Sequence, residues 1–173
     1  MPKSHSRRLT LGEAAGPREH LPYNRSMTPG LAISEYRGPL AVTLGYFALY
    51  YGFVLHVLRT KRRVRSECEA RGEPFDRYLS RDRRLLTADR CMLNMLEHMP
   101  AFLTLFWLAT VFVGSDWVTL AGALYVMTRL VYPFLMGPEV PVRLPKRLLV
   151  ATYTSYAILG YLASALLLGW LRS

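Results

Sequence analysis

Arg90, Asn94 and Glu97 stand at i, i+4 and i+7 in the stretch RCMLNMLEHMP, so a helix there carries all three on one face. The same stretch opens an apolar run long enough to cross a bilayer. A charged side chain near the middle of a spanning helix costs about 2.5–3.5 kcal/mol on insertion scales, so such groups face a bundle interior and mark a site. A second buried cation, Arg129, lies deep in a later apolar run, with Tyr132 at i+3 and Met136 at i+7 on its face. Glu97 is the one acidic residue inside any apolar run. The natural pairings are therefore Arg129–Glu97 or Arg90–Glu97, and the seam offers recognition by charge and hydrogen bond.

The elements that must position this seam follow from composition. The chain has 173 residues, is 51% apolar and carries a formal net charge of +10. Its apolar residues gather into the runs Leu40–Leu58, Met92–Val113, Trp117–Met136 and Leu148–Leu171, each close to the ~20 residues a helix needs to cross the hydrocarbon layer. The expected fold class is an all-α membrane protein, a four-transmembrane-helix bundle, with helices over about 39–58, 84–113, 117–136 and 147–171. Residues 1–38 form a polar N-terminal tail, and residues 39–173 the membrane domain. The tail has no apolar core of a secretory signal, and Glu13, Glu19 and its prolines interrupt any amphipathic presequence helix. Asn24-Arg25-Ser26 fits a glycosylation sequon if the tail is luminal. Cys68 and Cys91 match no metal or redox spacing and read as free thiols.

The segment from Arg59 to Arg90 holds about half of the positive charge, which by the positive-inside rule places it on the cytoplasmic side or its equivalent. Arg143, Lys146 and Arg147 join it there, and both termini fall on the opposite face. Lipid headgroups account for most of these arginines, so nucleic acid is not an expected partner. Pro39 suits a helix start, whereas Pro100 and Pro133 sit inside helices and kink them. Tyr46, Tyr50 and Tyr51 read as packing or interfacial residues. His56 and His98, on different helices, read as hydrogen-bonded side chains rather than haem ligands. In the last run Ala151, Ser155, Gly160 and Ala163 allow close backbone approach.

The pattern R-x-x-x-N-x-x-E-x-x-P, present as Arg90, Asn94, Glu97 and Pro100, resembles the helix-two signature of the MAPEG family. These are the membrane-associated proteins in eicosanoid and glutathione metabolism, which include microsomal glutathione transferases. A second pattern, R-x-x-Y followed by an arginine after a short loop, is present as Arg129, Tyr132 and Arg143. Two positions depart: Met136 stands where many members carry a second site tyrosine, and His98 where a tyrosine often follows the glutamate.

The resemblance implies a homotrimer with glutathione, as co-substrate, bound between neighbours near the cytoplasmic face. Arg90, Asn94 and Glu97 would match its binding helix, Tyr132 a binding tyrosine, Arg143 the catalytic arginine that holds the thiolate, and Arg62 a further arginine. Arg129 joins them as the buried cation of the third helix. Glutathione carries two carboxylates and an ammonium, which several arginines and one glutamate complement. The implied activity is a glutathione-dependent transferase or peroxidase acting on a lipophilic electrophile. The alternative is a non-catalytic structural subunit of a larger membrane complex, possibly respiratory, with unlike subunits as partners. Endoplasmic reticulum, mitochondrial and bacterial inner membranes all fit.

Overall fold

An apolar segment crosses hydrocarbon as a helix because its N–H and C=O groups find no water there and must pair within the segment. The computed structural model describes residues 33–76, 80–114, 116–139 and 145–172, and shows four such helices. They are α1 (Arg37–Ala70), α2 (Arg83–Phe112), α3 (Asp116–Met136) and α4 (Lys146–Arg172), with a short 3-10 turn at Ile33–Tyr36 before α1. No strand occurs among the described residues. The protein is an all-α membrane bundle, as composition implied.

α1 corrects the expected boundary, since it runs to Ala70 instead of ending at Leu58. Its 34 residues span about 50 Å, well beyond a hydrocarbon core of ~30 Å, so the basic turns after Arg59 project past the apolar layer. The projecting end is laced by ion pairs. Arg63 and Arg65 reach Glu67 and Glu69 one turn on, and Arg84 at the start of α2 grips both oxygens of Glu67. Asp82 caps α2 by accepting from the backbone N–H groups of Arg84 and Leu85. α1 also begins two residues before Pro39, whose missing N–H falls in the first turn, where none is needed.

Among the described residues, α1 and α4 each pack on both α2 and α3 but do not meet each other. The central pair α2–α3 thus carries the core. Phe102 stacks on Tyr125 with ring centroids 4.1 Å apart, and Tyr46 and Phe106 complete the aromatic cluster. Tyr46 is packing rather than interface, wholly buried with its hydroxyl donating to the Met95 carbonyl at 2.7 Å. Gly122 permits a close α2–α3 approach: a Cβ there would lie 2.4 Å from the Phe106 ring. On α4 only Ala151 and Ser155 of the four small residues are buried. Gly160 and Ala163 are exposed, so the expected close packing along that whole stripe does not occur within the protomer.

Candidate functional site

Two apolar clusters divide the bundle. The larger is built on Tyr46, Met95, Phe102, Phe106 and Tyr125, the smaller on Cys91, Tyr132, Met136 and Leu148. Asn94 and Arg129 fall between them in sequence on α2 and α3, where the bundle takes a polar layer. Arg129 is only 2% exposed. Its guanidinium donates to the side-chain oxygen of Asn94 and to the Tyr125 hydroxyl, 3.0 Å away, and lies 4.9 Å from the centre of the Tyr125 ring. Its Nε is buried and has no hydrogen-bond partner among the described residues.

This corrects the expected ion pairs. Among the described residues no salt bridge joins Glu97 to Arg129 or to Arg90. Arg129 points into the protomer, whereas Arg90 and Glu97 are exposed on the outer face of α2. Among the described residues this buried cation is met by neutral oxygens and an aromatic face rather than by a salt bridge to a carboxylate. Tyr132 is 8% exposed and packs with Cys91 of α2 in the smaller apolar cluster. His98, beside Glu97, sets its ring 5.2 Å from that of Tyr156 on α4.

The Arg129–Asn94 bond fixes the polarity of the outer face. Arginine has donors only, so the Asn94 atom facing it must be the oxygen, and the Asn94 NH2 is left for other partners. Along α2 the face then reads cation, amide donor, anion at Arg90, Asn94 and Glu97. Met136 is buried among apolar neighbours. Arg62 is exposed on the projecting part of α1, and among the described residues no hydrogen bond or ion pair ties it to the α2 face. Arg143 lies outside the described residues, as does the sequon at Asn24.

The sequence profile of the MAPEG family matches residues 39–168, which takes in all four helices. The chain belongs to the MAPEG family. It is therefore an integral membrane protein of a family concerned with glutathione and eicosanoid metabolism, whose members generally use glutathione. A comparison with curated proteins finds no match.

Tyr125 is the neighbour of Arg129 that sequence reasoning passed over. It lies one turn before Arg129 on the same face, and that i, i+4 spacing was the available signal. Tyrosine is common enough in these helices that spacing alone did not single it out.

Proposed function

We propose that this MAPEG protein is a glutathione-dependent transferase or peroxidase acting on a lipophilic electrophile delivered from the bilayer. The observation that carries the reading is the α2 face, where Arg90 and Glu97 stand exposed on a spanning helix on either side of the Asn94 amide. Charged side chains in such a segment need partners, and among the described residues no salt bridge forms to Glu97. Glutathione supplies the complement: a carboxylate for Arg90, an acceptor for the Asn94 amide and an ammonium for Glu97.

Tyr132 would add a hydroxyl to the same ligand, and Arg129 would set the site's electrostatics from behind Asn94. Glutathione brings the thiol, which as a thiolate attacks the electrophile. Arg143 is the residue assigned to hold that thiolate, since a guanidinium at hydrogen-bond distance favours the ionised sulfur. The exposed position of the α2 face supports a site completed by a neighbouring protomer, in a homotrimer, with Arg62 entering from the basic end of α1.

The deciding experiment is retention of the purified full-length protein on immobilised glutathione, followed by conjugation of a lipophilic electrophile. The parent binds and turns over, and Arg90→Ala and Glu97→Ala each lose retention. A parent that neither binds nor turns over refutes the enzyme reading. The second reading, a MAPEG-fold structural subunit, draws support from Met136, whose buried thioether replaces a hydroxyl that many members carry. Its signature is a single copy among unlike chains by native mass spectrometry.

A further inference from the structure

A groove of about 720 Å³ runs between α1, α2 and α3, on the opposite side of the central pair from α4. That volume lies within the roughly 300–1,000 Å³ range of sites for small organic ligands. Its walls are Leu49, Phe53, Leu130, Pro133 and Phe134, and at one end lie His56, Thr60, Arg63 and Arg84. Phe134 is 77% exposed, so the apolar part opens sideways to the surroundings of the bundle, which are lipid. The polar end sits where α1 passes from its apolar run into its basic turns, at headgroup depth. Apolar below and cationic above, the cavity has the profile of an amphiphile.

We propose that this groove binds a phospholipid with an anionic headgroup. One acyl chain lies against Phe53, Leu130 and Phe134, and the phosphate accepts hydrogen bonds from Arg63 and Thr60. Arg84 is already held by Glu67 and Asp82, whereas among the described residues Arg63 commits only its Nε, to Glu67 at 3.3 Å, and its side chain is 78% exposed. Charge favours an anion over a zwitterion. The segment Arg59–Arg90 carries eleven basic against six acidic side chains, and each basic residue near a bilayer surface contributes about 1 kcal/mol of attraction to anionic lipid. A second copy of the chain fits less well, because a helix seated in the groove would have to cover Arg63 and His56, whereas a phosphate satisfies them.

Glycines provide the test. Gly52 lines the groove and has no atom within 4 Å of where its Cβ would be, so a side chain placed there starts from open space and Gly52→Trp adds bulk to the cavity. Gly45 has equally open surroundings but does not line the groove, which makes Gly45→Trp the control. Full-length protein is purified in neutral detergent, titrated with phosphatidylglycerol or phosphatidylcholine, and its bound lipids are counted by native mass spectrometry. The parent retains phosphatidylglycerol in preference to phosphatidylcholine, and Gly45→Trp behaves as the parent. Arg63→Ala weakens phosphatidylglycerol binding about fivefold. Gly52→Trp abolishes it, and the smaller Gly52→Leu reduces it while helical content is unchanged. The proposal is overturned if Gly52→Trp retains phosphatidylglycerol as the parent does, if the two lipids bind equally, or if filling the groove changes the number of protomers rather than of lipids.

Discussion

The guanidinium of Arg129 donates to the side-chain oxygen of Asn94 and so ties α3 to α2 where two apolar clusters meet. Among the described residues no salt bridge reaches Arg129, so this bond and the one to the Tyr125 hydroxyl are the hydrogen bonds that meet a charge that is 2% exposed. Polar pairs in membrane bundles couple by about 0.6 kcal/mol on average and by up to about 1.7, and a charged donor belongs near the upper end. A double-mutant cycle on Arg129→Met and Asn94→Leu, read by denaturant unfolding in detergent, is expected to return a coupling of about 1–2 kcal/mol. Additive effects would mean that the two side chains do not interact in the folded protein.

The same bond separates stability from ligand binding at one position. Asn94→Asp keeps an oxygen for Arg129 and adds a negative charge, while removing the NH2 donor from the outer face. Its unfolding midpoint should equal or exceed that of the parent. Glutathione affinity should fall by about tenfold or more, the loss of one hydrogen bond to a charged group. A variant that loses stability and affinity together would show that Asn94 serves the fold alone.

Helix proximity makes a third prediction. A Cβ on Gly122 would lie 2.4 Å from the Phe106 ring, and that ring is stacked against Phe102 and cannot retreat without moving it. Gly122→Ala should destabilise by about 1–3 kcal/mol, the usual cost of overpacking. Gly45→Ala, placed in open space on α1, should be neutral or slightly stabilising. Equal midpoints for the two variants would contradict the close α2–α3 approach.

The spans were legible because hydropathy reports the one thing lipid demands of a helix, and Arg90, Asn94 and Glu97 do lie on one continuous helix, α2. The reach of α1 was not, since hydropathy ends where Arg59 begins while the helix goes on, supported by Arg63–Glu67, Arg65–Glu69 and the Arg84 clamp. Partner choice was also hidden. Charge alone pairs Arg129 with Glu97, but Asn94 is three residues earlier and close to a full turn away, and only helix rotation decides which of them meets Arg129. Ser155 shows the same limit, because a small residue expected to permit close packing also forms a 2.8 Å hydroxyl bridge to Thr128.

The start of α2 makes the protein sensitive to acid. Asp82 lies just outside that span, where it accepts from the Arg84 guanidinium and from the backbone N–H groups of Arg84 and Leu85. The Arg84 hydrogen bond, reinforced by those backbone donors, holds its carboxyl below the ordinary value of 3.8, against an opposing effect of partial burial. A group depressed in the folded state contributes its stability in full above its unfolded pKa and loses it as pH falls through the folded one. The parent should therefore hold the α2 cap unchanged from neutral pH down to about 4 and weaken below it. Asp82→Ala should cost about 1 kcal/mol at pH 7, the usual worth of an N-cap, and the gap between variant and parent should narrow steadily below pH 4. Unfolding midpoints of both proteins between pH 7 and pH 2.5 measure this directly, and a gap that stays constant across that range would remove Asp82 as the titrating cap.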